Sequence, residues 1–205
     1  MFLGSTAIRD NAARIFLKDT FNKERVNQCS YDLAIGEDAY IVGQSIPVKL
    51  TKAEPYLVLE PGQFAILTCH EKICLPPEIM GFITLRNRYK MQGLVNVSGF
   101  HVEPTFTEQL VFAVQNVSAT DIRLKYLDPT FTIFFAEVRD NTSPTKKLED
   151  PRQGITLQDI AQLGGSTITL SKLKEEMDQL RRMVFVYAPI IVAATIAIIV
   201  ALLKK

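Results

Sequence analysis

The sequence predicts a mainly β domain, a barrel or sandwich, with a short helix before it and a helical stalk and one membrane-spanning helix after it. Three observations predict this. Between residues 31 and 138, short apolar or alternating runs follow one another: YDLAIG, AYIVG, YLVLEPGQFAILT, EIMGFITLR, LVNVSGFHV, LVFAVQN and TFTIFFAEV. Pro and Gly break the chain at EPGQ, LPPE and LDPT, a texture of strands and tight turns and not of alternating βαβ units. Towards the C-terminus, VFVYAPIIVAATIAIIVALL runs for twenty residues without a charge. At about 1.5 Å per residue that length matches a bilayer core of about 30 Å.

The elements follow in order. The chain has 205 residues, 47% of them apolar, enough for one sizeable domain with appendages. STAIRDNAARIFLKD reads as a helix capped by Ser5 or Thr6, with Ile8, Ala12, Ile15 and Phe16 on one face. With the strands it makes a domain over residues 1–138. Residues 139–169 form a linker or arm. It opens on the polar, proline-bearing RDNTSPTKKLEDPRQG and holds a short helix at TLQDIAQLGG. There Thr156 and Asp159 form a capping pair, and Gly164 or Gly165 ends the helix. Residues 170–183 form a coiled-coil-like stalk: Leu170, Leu173, Met177, Leu180, Val184 and Tyr187 alternate at three and four residues. Two heptads are marginal alone, so the seam is expected to be shared by several copies. Residues 184–203 form the span, with Arg181, Arg182 and Tyr187 at one margin and Lys204 and Lys205 at the other. Pro189 lies in its first turns, where proline is tolerated best.

The start, MFLGSTAIRD, lacks the basic and then apolar pattern of a signal peptide. The expected location is therefore a membrane, crossed once near the C-terminus, with the main domain in the cytoplasm. Basic residues at both margins decide the orientation only weakly. The formal net charge is +1, which gives no global pull towards nucleic acid, and no nucleic-acid partner is expected. Cys29, Cys69 and Cys74 are an odd set without a secretory signal, so free thiols in a reducing compartment are expected. Cys69, His70 and Cys74 lack a fourth ligand at standard spacing, so no metal site is expected from them. Gly-x-Ser-x-Gly, Walker and His-Glu-x-x-His motifs do not occur in the sequence. KKLED and KLKEE read as solvated faces.

Residues 28–138 resemble the dCTP deaminase and trimeric dUTPase superfamily. QCSYDLAIG is similar to its first motif. YLVLEPGQFAILTCHEKICLPPEIMGFITLRNRYKMQGL follows the family's order: apolar strand, Pro-Gly turn, Thr-x-x-Glu, Leu-Pro, a Gly-bearing strand, an Arg motif and Gly-Leu. VNVSGFHVEP is similar to a hairpin ending in Ile-Asp-Pro, and IRLKYLDPTFTIFFAEV to the closing strands, with Thr130 where the family has Gly. The resemblance implies a jelly-roll-like dUTPase-type barrel and a homotrimer whose active sites lie between subunits. It also implies a deoxynucleoside triphosphate ligand, with Mg²⁺ accompanying it as the only cofactor.

Site residues carry over one at a time. The family's Gly-Arg-Ser-Ser falls on Leu85, Arg86, Asn87 and Arg88. Arg86 is kept and Arg88 adds charge suited to phosphate, while both serine hydroxyls are lost. The deaminase arginine three residues on falls on Met91, with Lys90 beside it. Phe100 and His101 stand where deaminases have His and Arg. Glu103 takes the place of the Asp before Pro104, and Asp32 of the first motif is retained. The resemblance thus implies Asp32, Arg86, Asn87, Arg88, Lys90, His101 and Glu103 as nucleotide- and phosphate-binding residues. The deaminase general base, a Glu, falls on Ala113, which has no titratable group. Glu103 is then the candidate base, and only for dUTPase-like chemistry. As lids over a triphosphate, LGGST at 163–167 and PRQG at 151–154 are the candidates.

Three functions fit the sequence. One is a membrane-anchored homotrimeric nucleotide-binding protein without deaminase chemistry, acting as sensor, scaffold or membrane effector. Another is an active dUTP diphosphatase-like or dCTP deaminase-like hydrolase. The third is a purely structural oligomer.

Overall fold

A computed structural model describes residues 1–17, 19–44, 46–139, 154–163 and 170–203. The chain divides into two units, Met1–Thr167 and Ile168–Lys205. At the N-terminus the apolar face is as expected: Ile8, Ile15 and Phe16 are buried and Ala12 packs against them. The single helix is instead two, α1 at Ser5–Asp10 and α2 at Ala12–Ile15. Asn11 breaks it by donating its side-chain amide to the Ala7 carbonyl at 2.9 Å, an alternative partner that helix interiors resist. The N-cap is Gly4 with no side-chain cap, so Ser5 and Thr6 lie inside the helix and do not cap it.

Among the described residues ten strands follow: β1 Tyr31–Ile41, β2 Val48–Lys49, β3 Tyr56–Leu59, β4 Phe64–Cys74, β5 Ile79–Leu85, β6 Leu94–Asn96, β7 His101–Val102, β8 Thr107–Asn116, β9 Ile122–Lys125 and β10 Pro129–Glu137. A short helix α3, Asn87–Met91, follows β5. The main sheet runs β6-β8-β4-β1-β10-β5-β7, β2 adds to β1, and β3 and β9 form a separate pair. YDLAIG and AYIVG fuse into the single strand β1. Its first residues pair with β10 and its later ones with β4, with register shifts in both ladders. Such bulges bend and twist a strand, and here they curl the sheet into a half-barrel.

Alternation fills the core. β5 turns Ile79, Ile83 and Leu85 inward, β8 turns Leu110, Phe112 and Val114 inward, and β10 turns Phe131, Ile133 and Phe135 inward. The Phe112 and Phe131 rings stack with centroids 3.7 Å apart. Gly81 shares the inward phase of β5; a side chain there would meet Ile133 at 2.7 Å. Asn116 closes β8: its amide donates to Leu59 O and Thr120 O, both at 2.8 Å, and its carbonyl accepts from Ser118 N at 2.9 Å.

A wholly buried charge lies in this core. Glu71 of β4 is wholly buried and takes Arg25 Nη1 at 2.5 Å. It also accepts from Tyr31 Oη at 3.2 Å, from Ala34 N at 2.9 Å and from Cys69 Sγ at 3.1 Å. Burial, and then the Glu71 charge, push the Tyr31 hydroxyl and the Cys69 thiol above their usual ranges. Both groups therefore keep protons in the folded state that the unfolded chain releases above about pH 8.5 for Cys and about pH 10 for Tyr. Stability should fall as pH rises through those values. Tyr31→Phe should flatten the upper part of that loss, measured by urea unfolding between pH 8 and 11; a slope unchanged by the substitution would refute the linkage.

Beyond the sheet, Gly154 is buried, with φ +73°, and donates its N–H to Gln109 Oε1 at 3.0 Å. Helix α4, Leu157–Gln162, carries the expected capping box between Thr156 and Asp159. The expected linker at 140–153, the stops Gly164 and Gly165 and the marginal Lys204 and Lys205 lie outside the described residues.

The second unit is one helical run: α5 Leu170–Arg182, a π-helical turn Met183–Tyr187, and α6 Ala188–Leu203. Ala188 donates its N–H to Met183 O, five residues back. Pro189 just beyond offers no N–H, and the extra residue in the π turn interrupts the seam expected to continue to Tyr187. Leu173–Val200 is long and apolar enough to cross a membrane by length and composition.

Candidate functional site

The outer face of the β1–β10–β5–β7 half gathers the expected residues. Asp32 opposes Thr132, and Thr132 opposes Thr84. Two residues along, about 7 Å, Phe134 opposes Phe82 and Phe82 opposes His101. Asp32 is mostly buried and both its oxygens are engaged: Oδ1 accepts from Thr132 Oγ1 at 2.8 Å, and Oδ2 lies 3.5 Å from Arg86 Nη1. Arg86 is the N-cap of α3, and its backbone N–H donates to Thr130 O at 2.9 Å. Its guanidinium is 41% exposed, so it is oriented by Asp32 yet open to an incoming anion.

Helix α3 exists because Tyr89 anchors it. That ring is buried and its hydroxyl donates to Asp128 Oδ2 at 3.2 Å. The residues around it, Asn87, Arg88, Lys90 and Met91, are exposed. Arg88 lies over the Tyr89 ring, 5.5 Å from its centroid. Among the described residues Arg88 makes no ion pair. Its charge therefore faces solvent beside Arg86.

The hairpin brings in the rest. Val97 N and Ser98 N donate to Ala113 O of β8 at 2.8 and 3.3 Å, while Phe100 O accepts from Ile83 N of β5 at 2.6 Å. Residues 97–100 thus bridge β8 to β5. Phe100 is 64% exposed and stacks on Phe82 with centroids 6.3 Å apart. His101 Nε2 and Glu103 Oε1 lie 2.9 Å apart, both side chains exposed. Ala113 shares the outward phase of β8 with Gln109, Val111 and Gln115, so no carboxylate stands on that stretch of strand.

Residues 2–137 match the family model described as dCTP deaminase-like. The chain belongs to the dCTP deaminase-like family. Among curated relatives, the dCTP deaminase of Thermococcus sibiricus is 29% identical over 139 residues, 68% of this chain and 83% of that protein. That of Pyrococcus horikoshii is 27% identical over 124 residues, 60% of this chain and 77% of the relative. The crystal structure of Agrobacterium tumefaciens 2′-deoxycytidine 5′-triphosphate deaminase superposes with a TM-score of 0.56 at 18% identity over 65% of this chain. This chain spans 48% of that one. Native EIAV dUTPase gives a TM-score of 0.43 at 15% identity, covering 73% of this chain and 97% of its own. The family model and the curated relatives establish the superfamily expected from the sequence, and the Agrobacterium structure agrees with the expected mainly β fold.

Within the family fold, the expected residues form two groups on one face. Asp32 and Arg86 meet directly, with Arg88, Asn87 and Lys90 on the adjacent helix; His101 of the neighbouring strand β7 meets Glu103 just beyond its end. Among the described residues, no hydrogen bond or ion pair joins the two groups. Two features escaped the sequence reading. Thr132, which fixes Asp32, is one Thr in a run of apolar and Thr residues and carries no motif. The other is a polar cavity of about 310 Å³ lined by Gly36, Asp38, His70, Lys72, Gln109 and Gly154. Of the candidate lid PRQG, only Gly154 is described, and it sits at this cavity, against Asp38 and Gln109.

Proposed function

We propose that this protein binds a nucleotide as a homotrimer without deaminating it, anchored in a membrane through its C-terminal helix as a sensor, scaffold or membrane effector. One observation carries the loss of chemistry: Ala113 stands where the resemblance puts the deaminase general base, and its outward neighbours Val111 and Gln115 cannot move a proton either. General acid–base groups are worth about 10²–10⁴-fold. Retention of binding is supported by Arg86, held by Asp32 yet exposed, and by Arg88 and Lys90 beside it. The trimer is supported by the resemblance and by the aromatic outer face: Phe2 and Phe100 are exposed and pack with Phe82 and Phe134, a surface that a neighbouring copy would cover. The anchor is supported by the length and composition of Leu173–Val200.

Mg²⁺ fits this face only as a companion of the nucleotide. Both Asp32 oxygens already face a partner, whereas Glu103 engages His101 through one oxygen and, among the described residues, shows no partner on the other. A hard cation held mainly by phosphates and one carboxylate is ordinary Mg²⁺ chemistry.

The test uses the full chain purified in detergent, incubated with each deoxynucleoside triphosphate and Mg²⁺ while product and binding are both followed. Uracil nucleotide formation from dCTP should not exceed the blank. Ala113→Glu alone should not restore turnover, because Asn87, Arg88 and Met91 still replace the phosphate-side residues. Deamination that scales with this protein and survives repurification would overturn the proposal. The alternative reading, a dUTP diphosphatase-like enzyme, is favoured by one observation: Glu103 lies within hydrogen-bond distance of His101, an arrangement suited to orienting a water. Release of diphosphate from dUTP, abolished by Glu103→Gln, would establish that reading instead.

A further inference from the structure

We propose that the stalk is a self-recognition element. Copies of this chain join in parallel through Leu173, Met177 and Leu180, and Glu176 of one copy pairs with Arg181 of its neighbour. The inference does not depend on the nucleotide site.

Three observations carry it. Leu173, Met177 and Leu180 are 45%, 62% and 59% exposed on a helix that is otherwise strongly polar. They repeat at four and three residues, the spacing of a coiled-coil seam and not the broader face of a helix lying on a globular core. Within the helical unit no other described residue covers them. The charges around the stripe then choose the occupant. With Leu173 and Leu180 at d and Met177 at a, the flanking e positions are Lys174 and Arg181, and the g position between them is Glu176. In a parallel assembly each g faces the e position five residues on in the neighbour, so Glu176 meets Arg181. An antiparallel assembly sets e against e and would oppose Lys174 with Arg181. The stripe is therefore complementary to itself in one orientation only.

Among the described residues neither Glu176 nor Arg181 makes an ion pair. At helical spacing Lys172 lies four residues before Glu176 and Asp178 three before Arg181, so pairing between copies competes only with weak, solvent-screened pairs on one exposed helix. The seam is short, and two heptads of helix are marginal in isolation. Oligomerisation elsewhere in the chain, or confinement of the adjoining span to one membrane, raises the effective concentration of the stalks and makes a weak zipper sufficient. The π-helical turn at Met183–Tyr187 ends the heptad spacing, so the paired segment is confined to α5.

The experiment uses the full chain in liposomes, with exposed Cys29 replaced by Ser so that it cannot cross-link. Single cysteines are introduced as Leu173→Cys, Leu180→Cys, Glu175→Cys and Asp178→Cys, and disulfides are formed with a mild oxidant. Parallel pairing predicts disulfide dimers at both Leu173→Cys and Leu180→Cys, and little at Glu175→Cys and Asp178→Cys. In the Leu180→Cys background, Glu176→Arg should lower the cross-linked fraction severalfold, and adding Arg181→Glu should restore it. Equal cross-linking on both faces overturns the seam. Cross-linking between Leu173→Cys and Leu180→Cys only when the two variants are mixed overturns the parallel orientation. A cross-linked fraction indifferent to Glu176→Arg overturns the charge pair, and restoration by the double reversal could not come from a helix that is merely misfolded.

Discussion

Glu71→Ala should destabilise the β domain by about 3–5 kcal/mol, the cost of leaving one partner of a buried ion pair alone. For a domain of this size that is a fall in Tm of roughly 10 °C or more, to be read at fixed protein concentration because oligomerisation shifts apparent stability. The size of the effect follows from what the carboxylate holds. Arg25 is only 16% exposed, so its charge cannot simply return to water. Ala34 N and Tyr31 Oη would lose an acceptor inside the core, each at about 1–3 kcal/mol when unsatisfied. Glu71→Gln keeps a carbonyl acceptor and should cost less than Glu71→Ala. A double-mutant cycle with Arg25→Met should show strong coupling. If Glu71→Ala unfolds within a degree or two of the parent, the network contributes specificity at most, and the energetic reading is wrong.

This buried pair also shows where the sequence was legible. In FAILTCHEKIC the inward phase of the strand runs Ala65, Leu67, Cys69, Glu71 and Ile73. A glutamate in an apolar phase is a readable sign of a buried charge, but the sequence does not say which cation answers it. Arg25 lies 46 positions earlier in a short turn. Strand texture, the core phases of β5 and β8, the capping box at Thr156 and the family were all readable, because each rests on local spacing or ordered motifs. The break at Asn11, the fusion of two runs into β1 and the π turn before Pro189 were not. Each is settled by one hydrogen bond or one bulge that local pattern does not encode. At the site, Arg86 and Asp32 were readable as separate motif residues; that Asp32 engages Thr132 with one oxygen and Arg86 with the other depends on cross-strand register.

Arg88→Ala should weaken nucleotide binding by roughly 10- to 100-fold, since a charge-assisted bond to phosphate is worth about 1.5–3 kcal/mol and 1.4 kcal/mol is a factor of ten. Arg88 is the cleaner probe of the two arginines. It is exposed, makes no ion pair among the described residues and lies over the Tyr89 ring, so its removal should leave the melting temperature nearly unchanged. Arg86→Ala should cost at least as much affinity but also strip the mostly buried Asp32 of its cation. Its effect on binding must therefore be read beside its effect on stability. Arg86→Lys separates the two, keeping charge near Asp32 while losing the planar fork that engages phosphate oxygens in pairs. Both arginines are partly or wholly exposed, so affinity should fall as salt is raised. Calorimetry on the full chain in detergent, with a panel of deoxynucleotides and cyclic nucleotides, measures all of this. If no nucleotide binds below millimolar concentration, or if Arg86→Ala and Arg88→Ala leave affinity untouched, the anion-binding reading of this face fails. The retained fold then serves assembly alone.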